Sequence, residues 1–345
     1  MTKQIMVGGV PIGGGAPVTI QSMTNTRTDD VEATLHQIRT LAAAGCEIIR
    51  VAVPDMAAAK AVGKIKEESP IPVVVDIHFD YKLALEAIAA GADKVRINPG
   101  NIGGADHVKA VAQACARRGV PIRIGVNGGS LEKPLLAKYG GVCPEAMVES
   151  AFGHIRLLNQ FDFDDICVSL KSSSVPMTMK AYRLMSRASD YPLHIGVTEA
   201  GTVRMGTLKS AVGIGGLLAL GIGDTMRVSL SADPVEEVYA AKEILKAAGV
   251  RKEGAELVSC PTCGRTRIDL IALANEVEER LKTVDKPITV AVMGCVVNGP
   301  GEASAADCGI AGGVGEGLLF KKGQIVRKVP QERLVDELFA LIDTL

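Results

Sequence analysis

Four residues late in the chain combine thiol and carboxylate chemistry with sequence that favours tight turns. Cys260 and Cys263 are separated by a proline and a threonine, and Cys295 and Glu302 flank a stretch rich in glycine and proline. Two thiolates at this spacing can bind one metal ion or one edge of an iron–sulfur cluster, and a distant third thiolate closes the site. Three thiols with one oxygen ligand suit a cluster that has one chemically distinct iron, which indicates a redox enzyme.

Zinc is the alternative occupant of these thiols. It would accept the Cys-x-x-Cys pair and Cys295 if Cys308 supplied a fourth ligand. The turn after Cys295 can, however, bring the Glu302 carboxylate to the same metal, which favours iron–sulfur over zinc. The remaining cysteines have no ligand spacing and are expected to be buried or incidental thiols: Cys46, Cys115, Cys143 and Cys167.

Strands and helices alternate through the part of the chain that precedes these cysteines. From residue 17 to residue 249, β-branched apolar runs alternate with amphipathic helical patterns, several of which end at a glycine. Such alternation predicts a parallel sheet covered by helices, and a count of eight units favours a (β/α)8 TIM barrel. The predicted strands are Pro17–Ser22, Glu47–Val51, Val73–His78, Lys94–Asn98, Ile122–Asn127, Ile166–Lys171, Leu193–Thr198 and Thr225–Leu230.

The pattern changes after Gly249. A connector leads into the first cysteine pair, and a helix (Asp269–Lys282), a strand (Ile288–Met293), a hairpin at Gly323 and a last helix from Gln331 are predicted after it. The expected architecture is therefore an α/β chain with a barrel domain over residues 1–249 and a linker over residues 250–258. A small α/β iron–sulfur domain over residues 259–345 completes it.

Basic residues recur within the predicted barrel strands. The carboxyl ends of TIM-barrel strands face the active site, and a guanidinium pointing into a barrel needs an anion. The cations are Arg50, Arg96, Arg123, Lys171 and Arg227, whereas the nearby carboxylates are Asp76, Glu199 and Asp224. Five cations against three carboxylates near one rim predict a polyanionic substrate, such as a phosphate or diphosphate.

Polar residues at matching strand ends would complete the floor of this site. They are Asn98, Asn127, Ser169, Thr198 and Ser229. His78 and His194 also lie in strands near the rim, and His78 is the better candidate for contact with the substrate.

Composition excludes several other functions. The chain has 345 residues, a net charge of −1 and no tryptophan, which does not favour nucleic-acid binding. Glycine or charge interrupts every apolar run before about 18 residues, so no membrane-spanning helix is expected. The amino terminus lacks a signal-peptide core, and eight cysteines in such a chain indicate reduced thiols. We expect a cytoplasmic protein with neither a membrane nor a nucleic-acid partner.

Taken together, these motifs resemble the 4-hydroxy-3-methylbut-2-enyl diphosphate synthase family, in its bacterial two-domain form. The resemblance covers essentially the whole chain. The segments that carry it are Gln21–Thr26, Asp76–Asp80, Arg96–Asn101, Arg123–Asn127, Thr198–Gly201, Gly223–Arg227, Cys260–Cys263 and Gly294–Glu302.

The resemblance implies a reaction and a set of residue roles. The family converts 2-C-methyl-D-erythritol 2,4-cyclodiphosphate to the linear allylic diphosphate by a two-electron reductive ring opening and dehydroxylation. A [4Fe-4S] cluster is implied on Cys260, Cys263 and Cys295, with Glu302 as its fourth ligand, and Glu199 is implied as a proton donor. Diphosphate binding is implied for Arg50, Arg96, Arg123, Asn127, Lys171, Arg227 and Ser229. Reduced flavodoxin or ferredoxin would supply electrons, and a homodimer would build each active site from two chains.

Two other functions remain as alternatives. A barrel lyase with a structural zinc ion would act on a sugar phosphate and would need no electron donor. A non-enzymatic electron carrier would use the cluster alone, which would leave the cationic barrel without a purpose. Radical S-adenosylmethionine chemistry is disfavoured because Cys-x-x-x-Cys-x-x-Cys does not occur in the sequence.

Overall fold

Helices and parallel strands alternate through the first part of the chain, as the sequence pattern predicts. The computed structural model describes residues 1–98, 100–252, 254–296, 301 and 303–345. These residues divide into two units, Met1–Val250 and Arg251–Leu345.

A parallel sheet forms the centre of the larger unit. Its strands, preceded by a short amino-terminal pair, are β1 (Ile5–Val7), β2 (Val10–Ile12), β3 (Thr19–Met23), β4 (Ile48–Ala52), β5 (Val73–Asp76), β6 (Lys94–Ile97), β7 (Ile122–Asn127), β8 (Ile166–Lys171), β9 (His194–Ile195) and β10 (Thr225–Met226). Over the described residues, the eight strands β3 to β10 pair in the order β8-β7-β6-β5-β4-β3-β10-β9. A parallel bridge between Val168 and Leu193 joins β8 to the start of β9 and closes the sheet. The predicted TIM barrel is confirmed.

Two of the predicted barrel strands are four residues shorter than expected, and the predicted strand Val73–His78 ends two residues early, at Asp76. The predictions Leu193–Thr198 and Thr225–Leu230 are wrong in extent, because β9 and β10 have two residues each. The residues after them leave the sheet and form the loops at the carboxyl end of the barrel.

Helices cover the outer face of the barrel. They are α1 (Val31–Ala44), α2 (Met56–Glu68), α3 (Tyr81–Ala89), α4 (Ala105–Arg118), α5 (Lys133–Tyr139), α6 (Pro144–Asn159), α7 (Val175–Ala188), α8 (Val203–Ser210), α9 (Gly216–Leu218) and α10 (Pro234–Ala247), with a π-helical turn over Ala211–Gly215. Local sequence sets their ends: Asp30 and Asp55 cap the first turns of α1 and α2, and Gly45 ends α1 in the left-handed conformation. In the described part of the chain, no helix has the length and apolarity needed to cross a membrane.

Residues along the barrel strands alternate between two environments. Ile49, Val51 and Val75 are fully buried in the apolar layer between strands and helices. Arg50 lies between Ile49 and Val51 and Asp76 follows Val75, so both point to the opposite side, into the barrel. The strands are thus apolar on the helix side and largely polar or charged on the inner side.

An antiparallel hairpin of β1 and β2 closes the amino end of the barrel. Its Ile5, Val7 and Ile12 are buried in one apolar cluster with the first halves of β4, β5 and β8. The sequence pattern did not predict this hairpin, because strands of three residues are too short to show a periodicity. The barrel therefore opens at its carboxyl end.

The smaller unit contains a mixed sheet packed against helices. Its elements are β11 (Glu256–Ser259), α11 (Leu270–Leu281), β12 (Thr289–Met293), β13 (Cys308–Gly312), β14 (Glu316–Lys321), β15 (Gln324–Pro330) and α12 (Leu334–Asp343). Within the described residues, β11, β12 and β13 are parallel, and β14 and β15 continue the sheet antiparallel. Strand β11 lies largely within the predicted linker 250–258, so ordered structure begins there before the first cysteine.

Candidate active site

A column of basic side chains lines the barrel interior. Arg50, Arg123 and Lys171 come from β4, β7 and β8 and are only 9%, 1% and 8% exposed. The expectation that all the cations lie at one rim is wrong for Arg123, which is the second residue of β7 and four residues before the strand end at Asn127. The positive charge therefore extends from the mouth deep into the barrel.

Asp76 is the carboxylate at the centre of this column. Its Oδ1 lies 2.9 Å from Nη1 of Arg96, and its Oδ2 lies 3.6 Å from Nε of Arg50. Burial alone would raise the pKa of Asp76, but the charges of Arg50 and Arg96 lower it to about 2. Asp76 is therefore ionised and shared by two guanidinium groups.

Arg227 is held by Glu237 of α10, a partner that the sequence patterns did not reveal. Glu237 accepts hydrogen bonds from Nε and Nη2 of Arg227 at 3.1 and 3.0 Å. The signal available in the sequence was an acidic residue in the first turn of the last barrel helix, which begins beside the mouth. Asp224, expected as a neutralising partner, instead accepts from Thr2 and from the backbone N–H of Leu193, so that expectation is wrong.

Positive charge remains in excess after these pairs are counted. Among the described residues, no carboxylate lies within ion-pair distance of Arg123 or Lys171, and Nε and Nη1 of Arg123 are buried without a hydrogen-bond partner. Burial and neighbouring guanidinium groups lower the pKa of Arg123 to about 10 and lower that of Lys171 well below its usual value. Such an arrangement is costly in a closed interior unless an anion enters it.

Two glycines make room for the cationic side chains. A Cβ atom on Gly125 would lie 2.6 Å from Nε of Arg96, and one on Gly196 would lie 2.7 Å from Nζ of Lys171. Both side chains therefore cross neighbouring backbone at a residue without a side chain, within β7 for Gly125 and directly after β9 for Gly196. The sequence did not reveal this role, because each glycine lies in a run that otherwise has the pattern of an ordinary strand.

Met23, at the end of β3, contacts two of the cations. Its Sδ accepts from Nη2 and Nε of Arg50 at 2.9 and 3.1 Å, and lies 3.7 Å from Nη1 of Arg227. A thioether is a weak acceptor. These guanidinium groups are therefore oriented while their capacity to bind an anion remains.

The predicted polar residues fall into two groups. Asn127, Thr198 and Ser229 are half-buried at the carboxyl end of the barrel. The Oδ1 of Asn98 accepts from the backbone N–H of its own loop at 3.1 Å, and the hydroxyl of Ser169 donates to a backbone carbonyl of β7 at 3.3 Å. The second group therefore shapes the site.

Glu199 occupies the loop that follows β9. It is exposed and has a φ of 52°, in the left-handed region that residues with a side chain rarely adopt. Backbone strain of this kind clusters at functional sites, where the surrounding structure maintains it. The carboxylate is thus presented at the mouth by a constrained loop.

The two histidines predicted in strands differ in environment, and only His194 lies in a strand. The His78 side chain is 59% exposed, with Nε2 3.9 Å from Oδ1 of Asp76. His194 is fully buried inside the barrel, and its Nδ1 lies 3.4 Å from the Thr225 hydroxyl. Burial and the surrounding cations lower the pKa of His194 well below its usual value, so it is neutral.

Three of the four thiols of the smaller unit, Cys260, Cys263 and Cys295, lie towards one end of its sheet. Ser259 of β11 is paired with Val292 of β12, so Cys260 and Cys295 follow the carboxyl ends of neighbouring parallel strands. The backbone N–H of Gly294 donates to Sγ of Cys260 at 3.1 Å. The turn that carries Cys263 is tied to the same region, because Arg267 N–H donates to the Gly294 carbonyl at 3.0 Å.

This environment stabilises thiolates. A hydrogen bond from the backbone of Arg265 is the main cause of a lowered pKa at Cys263, which is exposed. Backbone N–H groups directed at cysteine sulfur are one of the protein's means of tuning iron–sulfur clusters. The donor set therefore fits a thiolate-bound cluster.

The fourth predicted ligand and part of its loop lie outside the described residues, namely Glu302 and residues 297–300. Over the residues that are described, no three His, Cys, Asp or Glu side chains converge on a point that could hold a metal ion.

Cys308 has a different role from the other three thiols. It begins β13 opposite Val290 of β12, so the register places it roughly 10 Å along the sheet from Met293, the end of the strand that Cys295 follows. It is fully buried in the apolar core, and burial raises its pKa to about 11. Cys308 is a packing residue, and zinc bound through it is not supported by this geometry.

Solved structures that resemble this chain show the fold. A truncated 3-deoxy-D-arabino-heptulosonate 7-phosphate synthase from Thermotoga maritima has a TM-score of 0.51 at 13% identity and covers 72% of this chain and 94% of its own. The dihydropteroate synthase of Yersinia pestis has a TM-score of 0.50 at 14% identity, covering 73% of this chain and 100% of its own. Both likenesses concern the barrel architecture alone.

Sequence comparison covers both units. The model of the GcpE TIM-barrel domain matches residues 2–242, and that of the GcpE protein C-terminal domain matches residues 256–344. A protein of Geobacter sulfurreducens is 63% identical over 342 residues, covering 99% of this chain and 97% of its own. One of Ruminiclostridium cellulolyticum is 61% identical over 337 residues, covering 98% and 96%. Both are named 4-hydroxy-3-methylbut-2-en-1-yl diphosphate synthase (flavodoxin). The resemblance in the sequence motifs is thereby confirmed, and the chain belongs to the GcpE family.

Proposed function

We propose that this chain is a 4-hydroxy-3-methylbut-2-en-1-yl diphosphate synthase whose substrate is 2-C-methyl-D-erythritol 2,4-cyclodiphosphate. The observation that supports it most directly is the positive charge of Arg123 and Lys171, which no carboxylate in the described part of the chain neutralises, inside a barrel closed at its other end. A cyclic diphosphate carries two negative charges on adjacent phosphorus atoms, which suits a column of cations better than a single carboxylate would.

The reaction needs two electrons and two protons, one proton for the departing hydroxyl and one for the phosphate oxygen released from C2. In the substrate, the C2–O bond to phosphate and the C3–hydroxyl bond break, and a C2=C3 double bond forms. The ring opens to a linear diphosphate, and the hydroxyl leaves as water. An oxidoreductase is therefore required, rather than a lyase.

The thiols would bind the cluster that carries the electrons. We assign a [4Fe-4S] cluster to Cys260, Cys263 and Cys295, with Glu302 as the fourth ligand. When bound, such a cluster supplies electrons one at a time. The shared strand ends of Cys260 and Cys295 and the N–H donor to Cys260 support this assignment.

The barrel residues bind and orient the substrate. Arg50, Arg96, Arg123 and Lys171 neutralise the two phosphates, and Arg227, fixed by its bidentate pair with Glu237, orients the ligand at the mouth. Asn127 and Ser229 offer neutral polar contacts at the carboxyl end. Because these groups are held before the ligand arrives, little order is lost on binding.

Glu199 is the proposed proton donor. Its exposed carboxyl group lies on the strained loop at the mouth, where the departing hydroxyl must be protonated to leave as water. A general acid acts at this step, and none of the cationic residues can replace it without losing the charge that binds phosphate.

Partners and domain roles follow from this assignment. We assign substrate binding to residues 1–249 and the cluster to residues 259–345, joined by residues 250–258.

Reduced flavodoxin is the proposed electron donor, supported by the names of the relatives, with ferredoxin as a substitute. All eight cysteines lie in described residues and are free thiols, which suits a reducing cytoplasm.

We also propose that the active site is shared between the two chains of a homodimer. Helix α10 runs antiparallel to the strands and ends at Ala247 on the amino side of the barrel, whereas the cations open to the carboxyl side. Only residues 248–255 separate α10 from β11, and they span at most about 30 Å. A two-fold dimer lets the thiols of one chain serve the barrel of the other.

Anaerobic turnover tests the proposed function. The purified holoenzyme is mixed with the cyclic diphosphate and reduced flavodoxin, and the products are followed by phosphorus NMR. The linear diphosphate should form in wild type and be absent with Cys295→Ser, while the Cys115→Ser control, a buried thiol in α4, remains active. A wild-type holoenzyme that neither binds nor reduces the cyclic diphosphate would contradict the proposal.

A further inference from the structure

Lys94 is a buried cation to which the reaction above assigns no role. It is the first residue of β6 and is 0% exposed. Its Nζ has no hydrogen-bond partner among the described residues. Lysine is almost never fully buried unless paired, because an isolated ammonium loses its hydration without compensation.

The barrel interior surrounds Lys94 with positive charge. The groups that act on its charge are Cys167 on β8, Arg123 on β7 and Arg50 on β4, and its own charge acts on His194 of β9. Asp76 on β5, Arg96 on β6 and Lys171 on β8 complete the charged groups of the same interior. Asp76 is already shared by Arg50 and Arg96, Cys167 is a neutral buried thiol, and His194 is neutral. Below this layer, the hairpin contributes only apolar Ile5, Val7 and Ile12.

Lysine is the group that can relieve this repulsion. Arginine keeps its proton in proteins, whereas a buried lysine gives its proton up readily. Burial, with smaller effects from Arg123 and Arg50, lowers the pKa of Lys94 to about 8. The empty barrel can therefore hold Lys94 as a neutral amine in part of the molecules.

We propose that Lys94 is a proton-accepting site beneath the anion-binding column, and that its Nζ takes up a proton from solvent when the anionic substrate enters the barrel. The two negative charges of the ligand reverse the sign of the local field and stabilise the ammonium form. One N–H bond forms, no electron moves, and buffer supplies the proton. The inference rests on the proposed function, because it requires an anionic ligand in the barrel.

Lys171 must be separated from Lys94 in any test. It is also buried with a lowered pKa, but it stands at the carboxyl end of β8 and is assigned to the ligand itself. Replacement of Lys94 alone therefore isolates the deeper site.

Calorimetry in several buffers measures the proton directly. The holoenzyme is titrated anaerobically with the cyclic diphosphate, without reductant, at pH 8 in buffers of different protonation enthalpy. Both phosphorus atoms of this ligand are esterified and keep only strongly acidic hydroxyls, so the ligand itself takes up no proton near pH 8.

Wild type should take up protons on binding, and Lys94→Met and Lys94→Arg should each take up about half a proton less per site. The Lys94→Arg variant keeps a positive charge at this position but cannot gain a proton. It therefore separates the effect of proton uptake from the effect of charge. Lys64→Met, at an exposed position on α2, is the control and should match wild type.

The outcomes distinguish the two proposals. Uptake in Lys94→Arg equal to that of wild type overturns the role of Lys94. Wild-type binding with no linked proton overturns it as well, whether or not the variants fold. Wild type that does not bind the cyclic diphosphate overturns the proposed function, and this inference with it.

Discussion

At the scale of single residues, Arg123 should make opposite contributions to stability and to binding. Its guanidinium is buried without a carboxylate partner in the described residues. Arg123→Met removes an uncompensated buried charge, so the melting temperature of the ligand-free protein should stay level or rise. The same change should weaken binding of the cyclic diphosphate by roughly 10- to 100-fold, the equivalent of one charge-assisted hydrogen bond.

Calorimetric melting and substrate titration measure these two effects. Arg39→Met, which removes an exposed pair with Glu68, is the control and should leave binding unchanged. Wild-type affinity in Arg123→Met would show that the guanidinium serves the barrel and not the ligand.

Glu199 should affect turnover more than binding. Glu199→Gln keeps the size and polarity of the side chain but removes the transferable proton. Single-turnover rates should fall by about 10²–10⁴-fold, while the dissociation constant of the substrate changes little. An unimpaired rate in this variant would exclude the proposed proton transfer.

Glu302 and Cys308 should differ sharply when replaced. Glu302→Ala should give a cluster that is labile or short of one iron, with loss of activity. Cys308→Ser should keep its cluster, because its thiol is buried at the far end of the sheet. Iron content and the visible spectrum report both effects, and the reverse pattern would refute the ligand assignment.

At the scale of elements, the glycines of the barrel strands decide where the cations lie. Gly125→Ala would place a Cβ 2.6 Å from Nε of Arg96 and force that side chain away from Asp76. Substrate binding should weaken by about tenfold or more while the barrel still folds, because a flexible side chain can move. Gly129→Ala is the matched control, since its Cβ would meet nothing within 4 Å.

Substrate titration of both variants, with circular dichroism to check folding, tests this role of Gly125. Equal affinities in Gly125→Ala and Gly129→Ala would mean that the position of Arg96 does not matter for the ligand.

Elements of the barrel were predictable from sequence wherever one pattern was long enough to repeat. The strands around Arg50 and Arg123 were found because β-branched residues bracket each arginine. Pairings between distant elements were not predictable: Glu237 reaches Arg227 from a helix, and Met23 reaches Arg50 from a neighbouring strand. Such contacts depend on barrel register, which a single sequence does not display.

At the scale of the whole molecule, a shared active site should allow complementation between chains. A Cys295→Ser chain and a Glu199→Gln chain are each inactive alone under this proposal. After anaerobic subunit exchange, one site in each mixed dimer combines an intact barrel with intact thiols, so activity should return to about a quarter of wild type or less. Mixed dimers isolated with two different tags and lacking activity would place barrel and thiols of one chain in the same site.

The hairpin of β1 and β2 leaves the barrel interior open at one end only. Its apolar side chains seal the amino end, so everything that enters the lumen must leave by the way it came. The displaced water, the linear diphosphate product and the next substrate molecule all pass through the same opening, at the carboxyl end of the barrel. A new substrate molecule can therefore bind only after the linear diphosphate has been released.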